Sequence, residues 1–170
     1  MCFGIISCNP KKREIKKIIQ EWQGKEIIIP NEEIIYKISG RKIEDADLWS
    51  KSYKIFTYID SVGCTSCQMG LNQWKELIDS CRDQLIDISF LFVVHSSNFT
   101  EFEDELLLYE FDYPIIYDYE NTFERLNRFP STPYRTFLLD KENKVILIGS
   151  PKNNRKLWNL YKQEITRQTN

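Results

Sequence analysis

Histidine is almost missing from this chain: 170 residues contain one, His95. A Cys-x-x-Cys zinc site needs a second such pair or paired histidines, and neither is present, so structural zinc is disfavoured. No run of about 18 apolar residues occurs, which excludes a transmembrane helix from this sequence. Neither sign of charge dominates, with 23 Lys and Arg against 25 Asp and Glu for a net of −2. That balance gives no reason to expect nucleic acid or an anionic membrane surface as partner, and Lys11-Lys12-Arg13 reads as a solvated segment. Internal repeats and low-complexity tracts are absent too. What remains is a chain that is 42% hydrophobic and rich in aromatics. It is enough for a substantial core in one domain with an appendage.

Five cysteines stand at 2, 8, 64, 67 and 81. Residues 1–8 read MCFGIISC, apolar and closing on a small residue before cysteine. This is similar to the back half of a lipoprotein signal, with Cys8 as the lipid acceptor and no basic start before it. The alternative is an apolar amino terminus of no special role. With Cys8 lipidated and Cys2 removed, three cysteines remain. An odd number argues for one redox pair plus a buried thiol rather than a disulfide scaffold.

Ile15, Ile18, Ile19 and Trp22 repeat at helical spacing and predict a helix over 9–22 that ends at Gly24. Residues 26–29 and 34–38 are β-branched runs separated by Pro30-Asn31 and predict two strands. Residues 40–51 are polar and read as a loop. From Tyr53 strands and helices alternate. Strands are expected at 53–59, 88–95, 113–117, 134–139 and 144–148, the last two flanking a hairpin turn at Asp140-Lys-Glu-Asn. Helices are expected from Cys64 to about Gln84, after capping boxes at Asn98/Glu101 and Asn121/Glu124, and from Asn154 to about Thr166. Residues 88–95 are nearly all apolar, as for a strand covered on both faces.

The helix expected at Cys64 carries the chemistry. Cys67, Leu71, Trp74, Ile78, Cys81 and Leu85 form one stripe at steps of 4, 3, 4, 3, 4. Cys64 precedes the stripe and Cys67 lies on it, so Cys64 should be exposed and Cys67 covered. A thiol at a helix amino terminus meets unpaired N–H groups and the positive end of the dipole, which lower its pKa. The thiolate is the species that attacks a disulfide. Residues three apart on a helix lie about 5 Å apart at Cα, inside the window of roughly 4.4–6.8 Å for a disulfide. A purely structural disulfide is the competing reading, but so short a loop constrains the unfolded chain little. Cys81 is expected to be buried and inert.

At Asp60-Ser-Val-Gly-Cys-Thr-Ser-Cys67 and Thr136-Phe-Leu-Leu-Asp140 the sequence resembles thioredoxin-like thiol–disulfide oxidoreductases of the bacterial cell envelope, in their lipoprotein-anchored branch. The resemblance spans about 53–166. It implies an α/β thioredoxin-like fold, a mixed central sheet flanked by helices. The expected parts are a signal remnant at 1–8, an N-terminal helix/strand extension at 9–52 and the thioredoxin-like domain at 53–168. It implies an enzyme with no cofactor and no metal, facing the periplasm. Its partners would be envelope protein thiols or disulfides and a redox donor or acceptor protein, with membrane attachment only through lipid at Cys8. Cys64 would be the nucleophile and Cys67 the resolving cysteine, supported by Gly63, Thr65, Ser66, Asp60, Thr132 and Pro133.

Three departures from that pattern stand out. Gly63 replaces the usual Trp, and Thr65-Ser66 replaces Gly-Pro between the cysteines. Thr132-Pro133 is the candidate for the family's cis-proline, and Pro130 competes for the role; a cis X–Pro bond costs only about 0.5–1 kcal/mol. Tyr58 stands where thioredoxins bury an aspartate. Asp60 could relay a proton to Cys67, although a strand-end carboxylate is its simpler role. His95 reads as the end of a strand entering a loop, and Glu101, Glu103, Asp104 and Glu105 as helix-start chemistry and a solvated face. Two other functions stay open: a non-enzymatic thioredoxin-fold binding module and a thiol peroxidase. A peroxidase would need Pro and Thr just upstream of the attacking cysteine, where this chain has Asp60-Ser-Val-Gly63.

Overall fold

The computed structural model describes residues 10–31, 33–44, 47–60, 69–131 and 133–167. Cys8, Gly63, Cys64, Thr65, Ser66, Cys67 and Thr132 therefore lie outside the described residues.

Seven strands form one mixed sheet: β1 (Ile35–Ile38), β2 (Arg41–Ile43), β3 (Lys54–Ile59), β4 (Ser89–Val94), β5 (Ile115–Tyr117), β6 (Thr136–Leu139) and β7 (Val145–Ile148). Their spatial order is β2-β1-β5-β4-β3-β6-β7. Strands β3, β4 and β5 run parallel, while β6 lies antiparallel to β3 and β7 antiparallel to β6. All six residues of β3 and of β4 are buried, as strands covered on both faces require. Among the described residues, five helices cover the sheet: α1 (Pro10–Trp22), α2 (Leu71–Asp83), α3 (Phe99–Leu108), α4 (Thr122–Asn127) and α5 (Arg155–Arg167).

Strand alternation sorts the core into two layers. Ile55, Phe90, Phe92, Val94, Ile115 and Leu138 point to one side. They meet Trp74 and Ile78 of α2, Phe102 and Leu106 of α3, and Tyr161 and Ile165 of α5. Phe56, Tyr58, Leu91, Val93, Ile116 and Phe137 point to the other side, where they meet Ile18 and Trp22 of α1, Phe123 of α4 and Phe129. Trp22 stacks on Phe137 with ring centroids 5.0 Å apart. The element order expected from residue 53 onward is the observed one.

Five local expectations need correction. Residues 26–29 do not form a strand; only Glu26 bridges, to Lys144. The Ile27 N–H donates to the Asn143 carbonyl at 2.9 Å, and a side chain serves Ile28, where Asn127 accepts from the N–H at 2.8 Å and donates to the carbonyl at 2.9 Å. Residues 41–43, read as loop, form strand β2, which closes a tight hairpin on β1 through Ser39 and Gly40, both at positive φ. The charged Arg41 and Lys42 suit an exposed sheet edge, which hides the strand from hydrophobic patterning.

Helix α2 starts at Leu71, not as part of one helix from Cys64, because Gly70 sits at φ 61 and interrupts it. A Cβ on Gly70 would come within 2.6 Å of Gln73 Oε1 and 2.8 Å of Lys152 Nζ. Leu71, Trp74, Ile78 and Cys81 are buried as the stripe requires, but Leu85 is 90% exposed, because the helix has ended before it. At α4, Asn121 makes no cap; Asp118 takes its place, accepting from the N–H groups of Thr122 and Phe123 at 2.7 and 2.9 Å. The box at Asn98 does form, with Asn98 and Glu101 bonded in both directions. Glu103 is not merely solvated, since it pairs with Lys37 of β1 at 2.7 Å.

Candidate functional site

Strand β3 lies inside the sheet between β4 and β6 and delivers Asp60 just past its carboxyl end. Beside Asp60 is a cavity of about 120 Å³. Thr57, Ile59 and Trp74 line its inner side. Pro133, Arg135 and Thr136 come in from the segment leading into β6, and Ser150 and Lys152 from the β7–α5 loop. Thr57 and Thr136 pair across β3 and β6, with hydroxyls 3.3 Å apart. Thus Asp60 and Pro133, singled out from the sequence, border one space, and the segment holding Cys64 and Cys67 leaves the described chain at Asp60.

Arg135 organises the rim. Its guanidinium forms an ion pair with Asp60, with both side chains largely covered. Its Nε donates to the Pro130 carbonyl at 2.8 Å, which ties the turn before Pro133 to the end of β3. The guanidinium also stands 5.6 Å from the centre of the Tyr58 ring. Tyr58 is buried, stacks on Phe129 at 4.6 Å, and donates its hydroxyl to Asn121 Oδ1. Burial first, and the nearby carboxylates Asp118, Glu124 and Asp60 second, push the Tyr58 phenol far above its ordinary pKa. Tyr58 therefore stays neutral and supplies no buried anion. Glu124 lies 4.0 Å from Arg135; burial raises its carboxyl above the usual range, and Arg135 works in the opposite sense.

Lys152 closes the other side. Its Nζ donates to the Met69 carbonyl and lies 5.6 Å from the Trp74 ring centre, within cation–π range. Desolvation lowers its pKa from 10.5 to about 8. Two polar atoms among the cavity-lining residues, Trp74 Nε1 and Ser150 Oγ, are buried without a hydrogen-bond partner. Arg135 and Lys152 were not legible as site residues. One sits in a strand-like run and the other in a polar loop, and only tertiary structure brings them to β3.

His95 follows β4 as expected, and its Nδ1 lies 2.8 Å from the Asp118 carbonyl, away from the cavity lining. Cys81 is a buried free thiol whose pKa burial pushes up to about 11, which keeps it protonated and unreactive. Among the described residues no helix is long and apolar enough to cross a membrane.

No protein-family model matches the sequence, and no curated protein matches it either. Solved structures do match. A protein described as the thiol:disulfide interchange protein DsbE from Chlorobium tepidum superposes with a TM-score of 0.63 at 14% identity, over 84% of this chain and 97% of that one. StoA from Bacillus subtilis gives 0.55 at 17% identity, over 77% and 98%. A cysteine-to-serine mutant of PrxQ from Xylella fastidiosa gives 0.60 at 11% identity, over 84% and 96%. The fold is thioredoxin-like, and thiol–disulfide oxidoreductases are among its structural neighbours.

Proposed function

We propose that this protein is a thiol–disulfide oxidoreductase working through Cys64 and Cys67 on proteins of the cell envelope, tethered there by lipid at Cys8. One observation carries the reading. In sequence, Cys64-Thr-Ser-Cys67 falls between Asp60, which lines the cavity at the carboxyl end of β3, and Met69, whose carbonyl holds the cavity-lining Lys152. The neighbours described as thiol–disulfide proteins support it at the level of fold.

In the reducing direction the Cys64 thiolate attacks a substrate disulfide. A Cys64–substrate bond forms and one substrate sulfur leaves as a thiolate. Cys67 then loses its proton and attacks Cys64, which forms the Cys64–Cys67 disulfide and releases the second substrate sulfur. Two electrons pass from the pair to the substrate. A redox partner protein restores the dithiol, and the reverse sequence oxidises a substrate dithiol. Gly63, Thr65 and Ser66 flank the sulfurs in sequence, and Thr132 precedes Pro133, which lines the cavity as the substrate-facing turn.

Insulin-disulfide reduction with dithiothreitol tests the reading. The wild-type chain should turn over, and Cys64→Ser should fall to the uncatalysed rate. Equal rates for the two would instead favour a binding module. Thiol-dependent peroxide consumption in place of insulin reduction would favour a peroxidase.

A further inference from the structure

The two edges of the sheet are finished differently. At the β7 edge the chain covers its own strand: Gly24 N–H donates to the Val145 carbonyl at 2.8 Å and Val145 N–H to the Lys25 carbonyl at 2.9 Å. Strand β2, at the other edge, pairs with β1 on one side and with no strand on its outer side. Ser39 and Gly40, at φ 47 and 76, make the two-residue turn between β1 and β2. Such a turn makes Ile38 and Arg41 a hydrogen-bonded pair. Alternation then aims the Ile43 backbone inward at Tyr36, and aims outward the backbones of Lys42 and of Glu44, the residue after β2. Among the described residues, no hydrogen bond from another element reaches the Lys42 or Glu44 backbone.

A second copy of the same edge can complete this one about a twofold axis, and charge selects the register. Registers with Arg41 on Arg41, Lys42 on Lys42 or Glu44 on Glu44 set like charges side by side, which destabilises a cross-strand pair. The remaining overlap sets Lys42 of each copy on Glu44 of the other, with Ile43 on Ile43 at the axis. Opposite charges then meet twice by symmetry. Lys42 already meets Glu33 of its own chain at 2.7 Å, but both side chains are mostly exposed and an ammonium has three donors, so a second carboxylate fits. Beside the edge runs an open groove of about 710 Å³, with Ile34, Tyr36 and Ile43 as its apolar lining and Glu33, Lys42 and Glu44 as its charged rim. Ile43 is half-buried, so pairing at the axis covers the part still in contact with water.

We propose that a second copy of this chain docks antiparallel on the β2 edge, with Lys42 of each copy facing Glu44 of the other across a twofold axis at Ile43. The two sheets continue into one across that axis. Arg41 and Lys42 discourage an arbitrary strand from adding to the edge, and Glu44 supplies the complement that a second copy can use. The contact is one short strand and a groove, small among specific interfaces, so monomer and dimer exchange reversibly. Nothing in it depends on the thiol chemistry proposed above.

Small-angle X-ray scattering tests the association, on the full chain with Cys2, Cys8, Cys64 and Cys67 replaced by serine to exclude disulfide-linked species. At about 1 mM chain a dimer should be present, and it should dissociate on dilution and weaken with added salt. Lys42→Glu and Glu44→Lys should each weaken dimerisation about tenfold or more, since each turns two attractions into two repulsions. Combining the two restores opposite charges and should recover the original association. In the same background Ile43→Cys should crosslink on mild oxidation, because a non-hydrogen-bonded antiparallel pair holds its Cα atoms about 4.5 Å apart, inside the disulfide window. Lys42→Cys should crosslink far less, since its counterpart lies diagonally at about 7–8 Å. A charge reversal without effect, a double variant no better than the singles, or crosslinking strongest at Lys42→Cys overturns the inference. A chain that stays monomeric at about 1 mM also overturns it, and leaves the edge to a different extended segment.

Discussion

Two lysines stand at opposite ends of β3, and their surroundings differ. Lys54 opens β3, is fully buried, and donates to the carbonyls of Lys51 at 2.9 Å and Lys141 at 3.2 Å. Burial lowers its pKa, and Asp140 and Glu142 work in the opposite sense. Lys152 at the other end donates to the Met69 carbonyl and faces the Trp74 ring and the cavity, and desolvation lowers its pKa. A buried ammonium ringed by acceptors belongs to the frame. One held against an aromatic ring loses hydration, which lowers its pKa. Under the proposed function, the same strand has a structural end and a chemical end.

The largest expected effect that would sharpen this contrast is on stability. Lys54→Ala removes a buried stem and leaves two carbonyls without a donor, and should cost about 2 kcal/mol or more in urea unfolding. Insulin reduction by the folded variant should stay near wild type. A large loss of turnover with little loss of stability would break the division between the two ends.

A second effect concerns pH. The folded-state pKa of Lys152 lies below its unfolded value, so between about pH 8 and 10.5 the unfolded chain binds more protons and stability from this group rises with pH. Below about pH 8 its burial penalty is fully present. Cys81 acts in the opposite sense. Its folded pKa of about 11 exceeds the ordinary 9.0, so its contribution is lost as pH rises through that window. Subtracting the unfolding free energy of Lys152→Met from that of wild type cancels Cys81. The difference should be flat below pH 8 and climb above it. A flat difference across the whole range would show that Lys152 is not desolvated.

Much of the frame was legible because single periodicities govern it. The continuous apolar run of β4 and the stripe of α1 through Ile18 and Trp22 each answer to one rule, as does the Asn98 cap. The failures share a cause, competition from a distant residue or a special backbone angle. Asn127 supplies from about a hundred residues away the bonds that Ile28 would have found in a ladder. Asp118 displaced Asn121 as the cap, and Gly70 interrupted a stripe that side-chain spacing alone would continue. At the site, Asp60 was visible as a strand-end carboxylate and Pro133 as the proline ahead of β6. Arg135 and Lys152 carry no local signal, since an arginine in a strand and a lysine after Gly149-Ser-Pro look like ordinary surface charge. Their meaning comes from the crossovers that bring β6 and the β7–α5 loop beside β3.

The most direct test of the central claim is a redox titration of the full chain in glutathione buffers, with free thiols trapped by alkylation and located by mass. The account predicts a single two-electron transition in which Cys64 and Cys67 become protected together as one disulfide, while Cys81 stays a thiol throughout. Cys64 and Cys67 remaining alkylatable at every ratio, or either one pairing with Cys81, would contradict it.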